Sequence, residues 1–205
     1  EYIYIKEFRK NNLSQYIEIE GLEYLNDIKK NNKQAVFVSG HFNNFELMAM
    51  EIEKAGINLA AVYRPLNNPF LNIVMENIRK NHICRTQVKK GKTGTRDLLK
   101  LFKENYSVAL MIDQRVSEGK SVNFFNREAK TTTIPAQFIK KYRCDVIPVY
   151  IERYQNFNFK LYFEKPVQFD DKFTIQEVTL KLNKILEKMI LKNPDQWIWT
   201  HDRWK

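Results

Sequence analysis

Short apolar runs alternate with longer segments of helical periodicity along most of this chain. Four runs rich in β-branched or aromatic residues predict strands at 16–20, 35–39, 58–63 and 107–112. Five segments with apolar residues three or four positions apart predict helices at 22–28, 42–54, 69–80, 95–104 and 134–142. Two further runs, at 146–153 and 157–163, predict an antiparallel pair.

The most regular helical pattern lies near the carboxyl end. Its apolar positions recur on one face, namely at Val178, Leu182, Ile185, Leu186, Met189 and Ile190. Strands that alternate with helices predict an α/β fold, with a mixed, largely parallel central sheet flanked by helices. We expect a single domain over residues 1–205, because no internal repeat, low-complexity tract or Gly/Ser linker interrupts the chain.

Composition excludes some protein classes and leaves others open. With 43% apolar and 28% charged residues the chain can build a core, so intrinsic disorder is excluded. The 34 Lys and Arg exceed the 24 Asp and Glu, and the resulting charge of +10 indicates an anionic partner. Nucleic acid, an anionic lipid surface and an acidic protein all fit, and a merely solubilising surface would show the same excess.

The sequence carries no signal for a cofactor, a metal ion or a membrane span. Cys84 and Cys144 have no CxxC spacing, which favours free thiols in a reducing compartment. The three His show no HExxH spacing, and 91–94 lacks the frame of a phosphate-binding loop. No apolar run approaches the roughly 18 residues that span a bilayer. The chain begins at Glu1 rather than Met, so this last expectation concerns the given sequence alone.

A His and a Glu follow the buried strand predicted at 35–39. Ligands of open α/β sheets bind at the carboxyl ends of strands, so His41 is well placed for chemistry. Five residues of ideal helix would point His41 and Glu46 about 140° apart, so they meet only if His41 lies in the turn before the helix. The carboxylate would then fix one imidazole tautomer and leave the other nitrogen to accept a proton. Alternatively, Glu46 is an unrelated residue on the next turn.

Polar groups follow two more predicted strands. Arg64 ends the strand at 58–63 and can hold a phosphate or stabilise developing negative charge, although a surface ion pair is the commoner role of an Arg. Asp113 and Gln114 follow the strand at 107–112. No GxSxG elbow surrounds Ser39 and neither Cys has a local His. Direct attack by a substrate hydroxyl on an activated carbonyl is the chemistry that remains for a His–Glu pair.

All three Trp residues lie between positions 197 and 204, beside basic residues. Amphipathic rings next to cations suit a membrane interface. They also suit base stacking on single-stranded nucleic acid. In a third interpretation the rings simply dock the tail on the core.

Taken in order, these segments resemble the lipid A late acyltransferase family, the lauroyl and myristoyl acyltransferases of Gram-negative bacteria. The matching pieces are His41 to Glu46 (the HX4E motif), Tyr63-Arg64-Pro65, Asn68-Pro69, Asp113-Gln114, 131–133, Ile147-Pro148-Val149 and 194–205. HX4E is shared with glycerolipid acyltransferases, whereas the Tyr-Arg-Pro element and the Trp-rich terminus are more specific. The family's amino-terminal membrane helix is not in this chain, 43–45 replace the commoner Gly-Asn-Trp, and Asp202 stands where a second Arg is usual.

The resemblance implies a glycerolipid-acyltransferase-like fold and a direct acyl transfer, without an acyl-enzyme or a cofactor. The donor would be acyl carrier protein or acyl-CoA, and the acceptor a hydroxyl of a lipid A precursor. His41 would be the general base and Glu46 its orienting partner, and Arg64 and Asp113 would complete the catalytic set. Backbone N–H groups near Asn43 and Asn44 would stabilise the oxyanion.

The resemblance also implies a location and a set of substrate contacts. The site would work at the cytoplasmic face of the bacterial inner membrane, against anionic lipid, with no nucleic-acid partner. The expected substrate-binding residues are Asn43, Asn44, Lys90, Lys92, Arg96, Gln114, Arg203 and Lys205. Three alternatives stay open: an acyltransferase for another glycolipid or aminolipid, a basic single-stranded nucleic-acid-binding protein, and a non-catalytic membrane-docking relative.

Overall fold

A seven-stranded sheet forms the centre of the protein in a computed structural model that describes residues 2–205. Its strands are β1 Ile17–Glu20, β2 Ala35–Ser39, β3 Leu59–Tyr63, β4 Thr86–Lys89, β5 Ser107–Met111, β8 Asp145–Tyr154 and β9 Asn158–Phe163, and β6 Lys120–Phe124 pairs with β7 Arg127–Thr131 in a separate hairpin. The order across the sheet is β1-β9-β8-β2-β5-β3-β4. All neighbours run parallel except β8 and β9, which are antiparallel.

Helices flank this sheet. They are α1 Ile5–Arg9, α2 Leu22–Lys30, α3 Glu46–Lys54, α4 Pro69–Ile78, α5 Lys92–Lys103, α6 Ile134–Tyr142 and α7 Ile175–Lys192. The mixed, largely parallel sheet with flanking helices confirms the predicted fold class, and the β8–β9 pair confirms the predicted antiparallel pair.

The core centres on β2, whose five residues are all buried between β5 and β8. Burial on both faces explains why this strand reads as a continuous apolar run without alternation. On one side α7 buries the apolar stripe predicted from its spacing, including Val178, Leu182 and Leu186. A capping box at Thr174 and Glu177 begins this helix.

Two helix boundaries differ from the prediction in ways that matter for the site. The helix expected at 42–54 begins at Glu46, because Phe42 pairs with Trp197 and Asn43 adopts a φ of 38°. His41 therefore lies in an extended turn before α3. The helix expected at 69–80 ends at Ile78 and continues as one π-helical turn, Arg79–Ile83.

The segment after α7 returns along the sheet to the turn that holds His41. The N–H of Ile198 donates to the carbonyl of His41 at 3.0 Å, and the ring of Trp197 is buried. This confirms that the tail docks on the core through a Trp ring. Across residues 2–205 no helix has the length and apolar character needed to cross a membrane.

Candidate active site

The carboxyl ends of β2, β3 and β5 meet around a cavity of about 420 Å³. His41, Glu46 and Arg64 line it, together with Arg79 of the π-helical turn and His201 of the carboxyl-terminal segment. Apolar side chains complete the wall, among them Phe45, Ala49, Val62, Ile83, Leu98 and Met111. A charged rim with an apolar wall fits an amphipathic ligand.

His41 is held by Asp113. The Nδ1 atom of the imidazole lies 2.8 Å from Oδ1 of Asp113, and the backbone N–H of His41 donates to Oδ2 at 2.8 Å. The parallel pairing of β2 with β5 brings the two residues together, because Ser39 pairs with Met111 and each of the two residues lies two positions beyond that pair. Trp197 donates its indole N–H to Oδ2 at 2.9 Å, so the buried carboxylate accepts three hydrogen bonds.

These contacts fix the charge of Asp113 and the tautomer of His41. Burial opposes the charged form of Asp113, but the hydrogen bonds and charge of His41, with the Trp197 N–H, lower the pKa of its carboxyl below the usual value. An ionised Asp113 can accept but not donate, so Nδ1 of His41 carries the proton. Nε2 is left with its lone pair, at the edge of the cavity, as a base requires.

Glu46 lies in the same cavity but pairs with a different residue. Its Oε1 accepts from Nε and Nη2 of Arg79 at 3.0 and 2.9 Å, and from the hydroxyl of Tyr2. The expectation that Glu46 orients His41 is corrected, because the imidazole is oriented by Asp113 and the Glu46 carboxylate is engaged by a cation. The two carboxylates thus have separate partners.

Arg79 is a site residue that the sequence analysis missed. Burial opposes its charge, but the neighbouring Glu46 carboxylate raises the pKa of its guanidinium. It is separated from Glu46 by 33 positions and belongs to a turn that follows a helix. No local spacing links the two residues, so the pair becomes visible only in the folded chain.

His201 is a second site residue that was missed, although the matched terminal motif contains it. Its Nε2 accepts the backbone N–H of Arg115 at 2.9 Å, which places the proton of the neutral ring on Nδ1. Burial lowers the pKa of His201, helped by the charges of Lys90 and Arg203 and opposed by that of Asp113. A neutral His201 is therefore favoured, beside the cavity that holds His41.

Five of the eight expected substrate-binding residues divide into two groups. Lys90 and Gln114 line the cavity with Arg64, and Arg64 and Lys90 are exposed at its rim. Lys92 and Arg96 are exposed on α5 and Lys205 on the terminal segment, outside the cavity lining.

Asn43 and Asn44 do not have the role that was expected of them. The N–H of Asn43 donates to the carbonyl of Gln196 at 3.1 Å, and its side-chain amide donates to the Gln196 side chain. This N–H is therefore engaged within the protein and is not free for an oxyanion. Asn44 is buried, and neither residue lines the cavity. Asn43 instead joins the turn to the carboxyl-terminal segment.

The expected headgroup contact by Arg203 is wrong. Its guanidinium is fully buried, donates to the carbonyl of Lys130 at 3.0 Å and to Oγ1 of Thr131 at 2.6 Å, and stacks 4.9 Å from the ring centre of Phe124. Burial lowers the pKa of Arg203 to about 10. This residue fixes the tail to the β6–β7 hairpin and does not reach a ligand.

The fold of this protein is similar to that of a solved glycerolipid acyltransferase. The crystal structure of a 1-acyl-sn-glycerophosphate acyltransferase, PlsC from Thermotoga maritima, matches with a TM-score of 0.54 and 13% sequence identity. The match covers 96% of this chain and 80% of that chain. At this identity the likeness concerns the fold, and it confirms the expected fold.

The chain belongs to the bacterial lipid A biosynthesis acyltransferase family, whose sequence model matches residues 1–205. A lipid A biosynthesis myristoyltransferase of Escherichia coli K12 is 21% identical over 187 residues, which are 89% of this chain and 57% of that protein. A lauroyltransferase of the same organism is 24% identical over 204 residues, 94% of this chain and 63% of that protein. The chain thus spans roughly three fifths of these relatives' length. The resemblance inferred from the motifs is confirmed.

Proposed function

We propose that this protein transfers a fatty acyl chain from a carrier thioester to a hydroxyl of a lipid A precursor, at the cytoplasmic face of the bacterial inner membrane. The observation that carries the proposal is the hydrogen-bonded His41–Asp113 pair at the edge of a cavity with an apolar wall and a cationic rim. Membership of the lipid A acyltransferase family supports the acceptor class.

The pair supplies a general base. Nε2 of His41 accepts the proton of the acceptor hydroxyl as its oxygen attacks the thioester carbonyl, and Asp113 stabilises the imidazolium that forms. The tetrahedral intermediate then collapses, the C–S bond breaks, and the imidazolium returns its proton to the thiolate. Ester and thiol are the products, and His41 regains its starting state.

Transfer is direct in this scheme. None of the described residues that line the cavity is a Ser or Cys. The hydroxyl of Ser39 donates to the carbonyl of Val149 at 2.6 Å, and Cys84 is buried with its pKa raised to about 12 by that burial. A covalent acyl-enzyme would need an activated nucleophile beside the base, and these groups do not provide one.

The cationic rim and the apolar wall of the cavity would bind different parts of the substrates. Arg64 and Lys90, which are exposed at the rim, present positive charge to phosphates of the acceptor and to the charge that develops on the carbonyl oxygen. The apolar residues of the wall accommodate the acyl chain. An acidic acyl carrier protein suits the net charge of +10, and acyl-CoA brings phosphates that would suit it as well.

The structure disfavours the nucleic-acid alternative. Of the three Trp rings, Trp197 is buried against Asp113, and Trp204 is partly buried, with its N–H donating to the carbonyl of Phe124 at 3.1 Å. Base stacking requires open ring faces. Only Trp199 is well exposed among these rings, so the terminus lacks a stacking platform.

The proposal is tested with purified protein, acyl carrier protein loaded with different chains, acyl-CoA, and a tetra-acylated lipid A precursor. Products are identified by mass spectrometry. His41→Ala is expected to lower the rate by at least about a hundredfold, since it removes the base. His82→Ala is the matched control, because His82 lies outside the cavity lining, and it should keep the wild-type rate. No product with any donor would overturn the proposal.

A further inference from the structure

Helix α4 turns two polar residues towards the protein and four apolar residues, Phe70, Leu71, Ile73 and Val74, towards solvent. Asn72 and Glu76 face the protein: Glu76 accepts from the hydroxyl of Tyr63 at 2.5 Å, and Asn72 accepts from the N–H of Leu66 at 2.9 Å and donates to Glu76 at 2.8 Å. At about 100° per residue, Phe70 and Val74 lie on the opposite face, about 120° to 160° from Asn72 and Glu76, and Leu71 and Ile73 flank them. None of the residues of α4 is buried.

The outward face is strongly apolar and open. The exposed fractions are 80% for Phe70, 60% for Ile73, 57% for Leu71, 53% for Val74 and 41% for the preceding Leu66. A contiguous apolar surface of this kind marks an interaction site in a folded protein. Single exposed apolar residues need no explanation, but five on one short helix and its entry loop do.

Exposed cations lie next to α4 at the mouth of the cavity. Nζ of Lys89 is 3.9 Å from the Glu76 carboxylate of α4. Arg64 and Lys90 are exposed beside it, Lys80 is exposed in the turn after α4, and Lys92 and Arg96 are exposed on α5. The N–H of Lys90 donates to the carbonyl of Tyr63 at 2.8 Å, so the end of β4 lies beside the loop that leads into α4. Arg64, Lys89 and Lys90 also line the cavity. The apolar helix, the cationic residues and the cavity mouth thus share one end of the sheet.

We propose that α4 inserts its apolar face into a lipid leaflet that carries anionic headgroups, so that the cavity opens directly onto the membrane. The inference rests in part on the proposed function, since lipid substrates give the cavity a reason to face the bilayer. An interfacial helix buries its apolar side among the acyl chains while neighbouring Lys and Arg contact headgroups.

Charge decides between a membrane and a second copy of this chain. A second copy would bring the same cations to the same rim, and like charges so placed oppose association. A leaflet with anionic lipid provides both an apolar environment and negative charge. Its acyl chains would contact the apolar face of α4, and its negative headgroups would contact the cations beside that face. We therefore assign the face to lipid.

Fluorescence of a single replacement tests the insertion. Phe70→Trp should become brighter on vesicles of phosphatidylglycerol mixed with phosphatidylcholine, and bromine-labelled acyl chains should quench it beyond the wild-type Trp signal. Leu22→Trp is the matched control, because Leu22 is also exposed but follows β1, whose carboxyl end points away from the cavity. Absence of quenching at position 70, or equal quenching at position 22, would contradict the proposal.

Removal of the apolar side chains measures their contribution. Phe70→Ser combined with Ile73→Ser should lower partition onto the same vesicles by about tenfold or more, because each buried apolar side chain contributes on that scale. Leu22→Ser with Leu191→Ser changes two apolar residues elsewhere that are also exposed, by 44% and 64%, and should leave partition unchanged. Circular dichroism checks that both variants are folded. A dimer that the first variant loses, without any vesicle binding by the wild type, would assign the face to self-association instead.

Failure of this inference can be told apart from failure of the proposed function. His41→Ala should insert into vesicles as the wild type does, whatever its catalytic rate. Vesicle insertion without acyl transfer would retain the membrane surface and reject the enzyme. Acyl transfer to detergent-dispersed acceptor without insertion at position 70 would retain the enzyme and reject the surface.

Discussion

The carboxylate of Asp113 joins three parts of the molecule at one point. It accepts hydrogen bonds from the ring Nδ1–H and the backbone N–H of His41 and from the indole N–H of Trp197. These three donors stabilise its buried negative charge. A buried carboxylate without such donors would cost several kcal/mol. The same contacts that stabilise Asp113 hold the imidazole with Nε2 towards the cavity.

Asp113→Asn tests this role in catalysis. The amide keeps the shape but loses the charge that fixes the Nδ1–H tautomer and stabilises the imidazolium, so kcat is expected to fall by about a hundredfold or more with little change in KM. The comparison is Trp197→Phe, which removes one donor and leaves the His41–Asp113 contact, and it should lose less. An Asn variant with the wild-type kcat would show that Asp113 only supports the fold.

Glu46→Gln separates the two carboxylates of the site. This change leaves the partly buried Arg79 without its anion, so we expect a lower unfolding midpoint and a smaller loss of kcat than in Asp113→Asn. A double-mutant cycle with Arg79→Met should give a coupling of about 1 to 3 kcal/mol in chemical denaturation. A loss of kcat equal to that of Asp113→Asn, at unchanged stability, would restore Glu46 as a partner in the chemistry.

Asp113 and His201 give stability a defined pH dependence. The folded pKa of Asp113 is lowered, so its contribution is present above its ordinary value of 3.8 and is lost as the pH falls through the folded value. The folded pKa of His201 is also lowered from 6.5, so the unfolded chain binds this proton more readily and stability declines as the pH drops below that value. When the pH is lowered from 7 to 5, the midpoint temperature of thermal unfolding should therefore fall less for His201→Gln than for the wild type. Equal slopes would contradict this assignment.

At the scale of the elements, the helices and strands that could be predicted from the sequence are those whose own residues show a clear apolar pattern. β2 and α7 were predicted because their buried residues are consecutive or helically spaced. β4 has Val88 as its one buried residue, and β6 and β7 alternate a few apolar residues with charged ones, so these strands have little local signal. The same limit applies to the site. His41 was found from its place after a strand, but its partner lies 72 positions away and is brought near only by the pairing of β2 with β5.

Gly94 allows α5 to pack against the end of β4. A Cβ at this position would lie 1.8 Å from the carbonyl oxygen of Lys89, a distance that backbone atoms cannot accept. Gly94→Ala should therefore displace α5 and cost about 1 to 3 kcal/mol of unfolding free energy. Because Gly94 also lines the cavity, the rate of acyl transfer should fall as well. Thr93→Ala, one residue earlier and exposed, is the control, and equal stability of the two variants would exclude this packing role.

At the scale of the whole molecule, the carboxyl-terminal segment connects elements that are distant in sequence. Gln196 bonds to Asn43 and to the backbone of Arg153 on β8, and Arg203 bonds to the hairpin at Thr131. The carboxyl-terminal segment therefore contacts the turn that holds His41, the central sheet and the β6–β7 hairpin.

Removal of residues 197–205 should disable both fold and activity. The deletion takes away the indole donor to Asp113 and the buried guanidinium, and we expect it to lower the free energy of unfolding by more than about 2 kcal/mol and to abolish acyl transfer. Removal of Lys205 alone, which is exposed, should change neither property. Denaturant unfolding and the product assay measure both effects, and a stable, active deletion variant would contradict them.

The double duty of Asp113 has a consequence for how such chains diverge. A descendant that abandoned acyl transfer would still need this carboxylate to retain the returning segment and its indole, so natural selection would preserve it for structural reasons. The side chain of His41 has no comparable structural role, because within residues 2–205 it does not contact the carboxyl-terminal segment through a hydrogen bond of its own. Among related chains, replacement of this histidine would therefore indicate loss of catalysis. Retention of the aspartate would not by itself indicate that a chain is catalytically active.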